Sequence, residues 1–303
     1  MLMKEITPQN TSRHIRESLS DRIFLAIVAV VMVFVLVITL YPFLMIVGMS
    51  FSGPGTSYST SIIPKNPSLQ AYQMVVGNDL IWTGYKNTII RVVLGTLSSL
   101  AVMVPAAYAW SKKELPFRSV LTAIILFTMF FNGGLIPNYI MIRNYGMMNK
   151  MSSLILPRLV DTFVLIVMRN FFMATPVSLE ESARIDGAGT LTILIRIVLP
   201  ISLPIIATAV MWSAVGHWNA WFDAMLYMSK PENKVLQIVL RNIVLEGTQQ
   251  VISTADIGRE QSFSNPDVVK AATVVFATFP ILCVYPFIQK YYVKGMTVGA
   301  VKG

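Results

Sequence analysis

The chain has 303 residues, 54% of them hydrophobic and only 13% charged, with a mean hydropathy of +0.63. About a quarter of the residues in a soluble domain are charged, so this composition marks a membrane protein with no room for a separate soluble catalytic domain. The net charge of +9 fits Lys and Arg kept beside membrane segments better than it fits a nucleic-acid interface; the one cysteine, Cys283, excludes an intrachain disulfide, and two histidines argue against a His/Cys metal cluster.

Residues 23–49 are uncharged and longer than the roughly 7 to 15 residues of a signal-peptide core, so they predict a first membrane helix after an N-terminal segment 1–22. Lys4, Arg13, Arg16 and Arg22 precede it and a Ser/Gly/Pro-rich stretch follows, which places the N-terminus in the cytoplasm. Residues 88–110 read as the second span, with Arg91 near enough to its start to snorkel to the headgroups. The turn 111–118 holds Lys112, Lys113 and Arg118 against Glu114, as an inner loop should. The third span, 120–142, contains Asn132-Gly133-Gly134 and Pro137, which predict a kink; a hinge or pathway-lining break is the functional alternative.

The fourth span, 154–173, carries Arg158, Asp161 and Arg169, each costly against lipid. Arg158 and Asp161 stand three apart and are expected to pair near the outer end of a helix, with Arg169 near the inner end. Spans 201–228 and 268–293 complete a set of six, so the C-terminal tail 294–303 is expected in the cytoplasm and the long polar segment 229–267 outside.

The segment joining the fourth and fifth spans, 175–200, reads as two short cytoplasmic helices. Ser178 and Glu181 have capping-box spacing, and Gly187 and Gly189 can end the first helix. Leu191, Leu194, Ile195 and Val198 then fall at i, i+3, i+4 and i+7, before Pro200 and Pro204 mark re-entry to the membrane. An amphipathic helix pair at this position suits docking to a soluble partner.

Glu181-Ser182-Ala183, then Gly187, then Ile197-Val198-Leu199-Pro200 resemble the cytoplasmic coupling loop of ABC importer permeases, and 183–188 (ARIDGA) resembles the form found in carbohydrate importers of the maltose-permease G type. Ser182 stands where that family usually has a second alanine, a change that keeps a small side chain. The resemblance extends to Asn66-Pro67-Ser68-Leu69, Trp218-Asn219 and the C-terminal residues, and 131–137 (FNGGLIP) is similar to a subgroup serving complex or plant-derived oligosaccharides. It implies an all-α type I permease with six transmembrane helices, in a bacterial cell membrane. The implied partners are a second, similar permease, two ATPase subunits that bind ATP and Mg, and an extracytoplasmic solute-binding protein that delivers an oligosaccharide. It further implies that Glu181, Ser182, Ala183, Arg184, Asp186 and Gly187 couple to an ATPase. The bland alternative is that Glu181 only caps its own helix. The tail from Lys294 onward is implied to dock between the ATPases, although a basic tail is equally well solvated.

No Walker A, HExxH or GxSxG sequence occurs, and Glu180 and Glu181 are adjacent rather than paired for glycoside hydrolysis, so no active site or bound cofactor is expected in the chain itself. A substrate path is sought instead at His217, Trp218, Asn219, Trp221 and Asp223, where aromatic rings suit sugar faces and Asn or Asp suits hydroxyls; an interfacial aromatic belt or interhelix packing explains the same residues. Asn132 and Tyr139 carry the same ambiguity. Two rival readings are a permease for a non-sugar solute and a membrane enzyme using Arg91, Asp161 and Asp223 on a lipid-linked sugar.

Overall fold

The computed structural model describes residues 18–53, 62–64, 66–246 and 266–300, the side chains of 246, 285 and 287–300 excepted. Residues 1–17, 54–61, 65, 247–265 within the expected outer segment 229–267, and 301–303 lie outside the described residues. Among the described residues the chain is all-α, with one isolated bridge, Ser52 to Pro67, and no strand.

Helix α1 (Leu19–Ser50) opens on a cap in which the Ser18 N–H donates to Asp21 Oδ2 at 3.1 Å. It packs chiefly against the last helix and leaves apolar side chains exposed for most of its length. Short α2 (Gln70–Val76) leads to α3 (Asp79–Ser111), whose first turn is capped by the Asn78 side chain accepting from Leu80 N–H at 2.9 Å. The helix that holds the second expected span therefore starts at Asp79, ahead of residue 88, and Pro105 lies inside it.

The expected kink of the third span is a full break: α4 (Arg118–Phe130) and α5 (Leu135–Asn144) meet at 108°. The fourth expected span is interrupted instead of continuous. It consists of α6 (Ser152–Ile155), a 3₁₀ turn at Leu156–Arg158, and α7 (Thr162–Met173), which bends by 69° into α8 (Val177–Ile185). Next, α9 (Thr190–Ile201), containing a π-turn at Leu194–Val198, turns by 84° into α10 (Leu203–Asn219), and the chain breaks again before α11 (Phe222–Tyr227).

The expected polar outer segment 229–267 holds α12 (Leu236–Glu246). Its apolar face, Leu236, Val239 and Ile243, is buried with Ile81 and Tyr85 of α3 and with Val268 and Ala272 of α13 (Pro266–Ala300). Polar flanks hide this short apolar face in a loop-length window. Helix α13 continues to Ala300, so residues 294–300 extend the last helix instead of forming a separate tail. Alone, α1, α3 and α13 are long and apolar enough to cross a membrane; the three bent pairs qualify together, giving up to six spans.

Helix α3 is the axis of the molecule. Towards its C-terminus, here the lower end, Met103 and Tyr108 are buried with Met168 and Phe172 of α7 and Ile205 of α10. Towards its N-terminus, the upper end, Ile81 is buried beneath α2, α12 and α13. A third cluster, Ile142, Leu154, Ala224 and Tyr227, holds α5, α6 and α11 together beside the upper end.

Candidate coupling segment and substrate path

At the lower end the chain leaves α7 through Thr175-Pro176 and starts α8 at Val177, so Ser178 lies inside the helix and the expected Ser178–Glu181 capping box does not form. Proline at the cap position sets the entry two residues earlier than that spacing requires. Gly187 does end α8, at φ +81: its N–H donates to Arg184 O at 3.0 Å and the Ala188 N–H to Ala183 O at 2.9 Å, the double closure of a Schellman motif. Gly189 instead begins α9, where its carbonyl accepts from Ile193 N–H at 3.0 Å. The π-turn shifts the register of α9, so Leu194 and Val198 are buried but Leu191 and Ile195 of the expected stripe are exposed, at 69% and 53%.

The two adjacent acids face opposite ways. Glu180 is buried; Lys112 Nζ reaches both of its oxygens at 2.5 Å, Tyr108 Oη donates at 3.1 Å, and Arg184 approaches to 3.9 Å. The Lys112 ammonium also sits 4.3 Å above the Tyr108 ring. Glu180 therefore fastens α8 to the end of α3, a role the sequence reading missed. Ala183, also buried, follows at i+3 and shares its face. Glu181, Ser182, Arg184, Asp186 and Gly187 are exposed, and Ala183 is turned inward. Val177 and Ile185, four residues to either side of Glu181 on α8, expose apolar side chains that flank it as an open rim.

The expected site residues of the upper half separate into two groups. Asn132, His217 and Asp223 line cavities. His217 and Arg158 bound one of 310 Å³, together with Ser99, Asp161 and Ser213. Asn132, Asn138, Arg158, Asp223 and Tyr227 bound a second of 460 Å³, beside the α4/α5 break. Tyr139 stacks behind Tyr227, with ring centroids 6.3 Å apart. Trp218 packs edge-on against Tyr85 at 6.3 Å, Asn219 is exposed at the end of α10, and Trp221 lies under Arg241 at 5.1 Å. None of these four lines either cavity.

The charges pair across long sequence separations. Arg91 does not snorkel: it is fully buried, ion-paired with Asp223, and donates to Ala220 O at 3.0 Å. Arg158 does not pair with Asp161; its Nε lies 3.2 Å from Asp223 Oδ2. Asp161 is spent on capping α7, its Oδ1 accepting from Val164 N–H at 3.1 Å. The 3₁₀ turn ending at Arg158 removes the helical register that the expected pair needed. Arg169 lies 4.6 Å from the Trp110 ring at the lower end. His217 presses on Gly95, where a Cβ would stand 2.4 Å from Nε2; only glycine lets α10 approach α3 this closely. Among the described residues no three His, Cys, Asp or Glu side chains gather as metal ligands.

The chain is similar to the polygalacturonan/rhamnogalacturonan transport system permease protein YtcP of Bacillus subtilis, at 37% identity over 94% of this chain and all of that one. It is 27% identical to the trehalose/maltose transport system permease protein MalG of Thermococcus litoralis, over 95% of this chain and 99% of that one. Its fold matches a chain from the crystal structure of a bacterial ABC transporter involved in the import of the acidic polysaccharide alginate, with a TM-score of 0.83 and 33% identity, covering 91% of this chain and 99% of that one. These matches set aside the reading as a membrane enzyme. Residues 81–298 match the family of binding-protein-dependent transport system inner membrane components, and the chain, a membrane permease subunit, belongs to it.

Proposed function

We propose that this chain is a translocation subunit of an ATP-driven importer in the bacterial cell membrane, carrying an oligosaccharide delivered by an extracytoplasmic binding protein. A second, similar permease completes the path, and two partner ATPases bind ATP and Mg. Both termini lie in the cytoplasm, with the upper end of the bundle facing outward. Asn132, His217 and Asp223 belong to the path, and Trp218, Asn219, Trp221 and Tyr139 support it from behind.

The observation that carries this reading is the division of labour in α8. Glu180 ties the helix inward to Lys112, while Glu181 and an apolar rim are presented outward. An exposed carboxylate within an apolar rim suits a groove with a basic group in it, and small Ser182 and glycine Gly187, beyond which space is open, permit close backbone approach. Arg184 and Asp186 add rim contacts. When the ATPases close, a helix held this way passes their movement to α3.

The test is co-purification of the chain with its partner permease and ATPases, followed by sugar-stimulated ATP hydrolysis in nanodiscs with the binding protein. Glu181→Lys is expected to disassemble the complex or abolish stimulation. Unchanged assembly and turnover would leave Glu181 as surface charge and remove the coupling role of α8.

A further inference from the structure

Arg158 is the charged side chain common to both upper cavities. The charges around it are uneven. On the side of the 460 Å³ cavity, one carboxylate, Asp223, faces two guanidinium groups. Arg91 neutralises Asp223 from the buried side, so the charge of Arg158, whose side chain is 47% exposed, is in excess there. Among the described residues Arg158 has no other anionic partner within ion-pair distance. On the side of the 310 Å³ cavity, Asp161 supplies a further carboxylate, and the cavity offers hydroxyls and the unpartnered, buried Nδ1 of His217.

A cation in excess near a membrane core is costly unless something uses it. The rest of the larger cavity is suited to a sugar: Asn132 and Asn138 offer amides, and Tyr227, backed by Tyr139, offers a ring. A guanidinium binds a carboxylate through two parallel hydrogen bonds, a geometry that neutral hydroxyls do not match.

Resting on the oligosaccharide reading above, we infer that the larger cavity holds an acidic sugar unit of a uronate-containing oligosaccharide, with Arg158 binding its carboxylate on the face turned away from Asp161. Asn138 holds a hydroxyl and Tyr227 a ring face. The smaller cavity, with Asp161 on its wall, takes a neutral part of the same chain. Arg158 is thus the residue that selects acid over neutral sugar in this subunit.

The test uses the complete complex in nanodiscs and saturation-transfer NMR, which reads weak binding without the binding protein. The probes are trigalacturonate, its methyl ester and maltotriose. Trigalacturonate is expected to bind the wild type; Arg158→Gln should weaken it by about tenfold, as for loss of one charge-assisted contact, and Arg158→Lys by less. The ratio of ester to acid affinity should shift accordingly. Equal weakening of acid and ester would mean Arg158 only shapes the cavity, and no weakening would mean the acid binds elsewhere; either result overturns the inference. If maltotriose binds the wild type and trigalacturonate does not, the acid site falls and the oligosaccharide reading stands. If neither probe binds, the acid site falls, and the oligosaccharide reading is decided separately by the stimulated hydrolysis described above.

Discussion

Helix α3 carries a buried ion pair towards each end, and the two pairs do different work. The upper one joins fully buried Arg91 to Asp223, a carboxylate that also lines the larger cavity, with Arg158 as a second cation. The lower one, Lys112 with Glu180, joins a span to the short helix α8, and its lysine remains 24% exposed. Arg91 and Lys112 stand about 31 Å apart along the helix, counting about 1.5 Å per residue. Arginine suits the upper position because it keeps its charge in a dry site and can hold the Ala220 carbonyl and Asp223 together. Lysine suits the lower one because a compact ammonium can share its charge with both carboxylate oxygens and the Tyr108 ring. The upper pair is an element of stability and the lower pair one of transmission.

Removing the shared carboxylate tests that distinction most severely. Asp223→Ala leaves Arg91 buried without a counter-charge, which costs about 3–5 kcal/mol, whereas Asp223→Asn keeps an acceptor and costs less. The expected result is a large fall in Tm and yield of the purified complex; an unchanged Tm would mean that the upper pair does not hold α3 to α11. Glu180→Gln has a smaller expected cost, about 1–3 kcal/mol, because an acceptor for Tyr108 remains. Its effect should appear in function: ATP hydrolysis continues but no longer answers to binding protein and sugar. Stimulation equal to wild type would show that α8 signals by another route. Smallest is Gly187→Ala, which places a side chain at φ +81 for about 1–2 kcal/mol and should leave Tm nearly unchanged while loosening the α8–α9 joint, read as faster amide exchange at Gly187 and Ala188.

The same contrast separates what was legible in the sequence from what was not. Hydropathy and breakers pointed to the apolar helices, to a kink near 131–134 that the structure deepens into a break, and to the helix-glycine-helix of the coupling segment, because each depends on neighbouring residues. Charge partners depend on the tertiary arrangement. Spacing matched Arg158 to Asp161, yet the 3₁₀ turn and the capping need of α7 separated them and sent Arg158 to Asp223. Arg91 looked close to the headgroups only because α3 begins at Asp79, ahead of its most apolar stretch. Glu180 and Glu181 are chemically identical in the sequence, and the phase of α8 alone decides which one is buried. The cavity residues Asn132, His217 and Asp223 were visible as polar groups in apolar runs, but the same rule also selected Trp218 and Asn219, which line no cavity.

Helix α1 lies outside the part of the chain matched to the family, and most of its apolar side chains are exposed. Hydrocarbon accepts Leu, Ile, Val and Phe alike, so along most of α1 the identity of each letter carries little information beyond its being apolar. The exception is the last turn, where a Cβ at Gly48 would strike the Ile62 carbonyl and Ser50 Oγ meets Tyr72 Oη at 2.7 Å. A random apolar helix grafted onto those final residues should serve as well as the native one within this chain: α1 is spelled by class over its length and by letter only at its end.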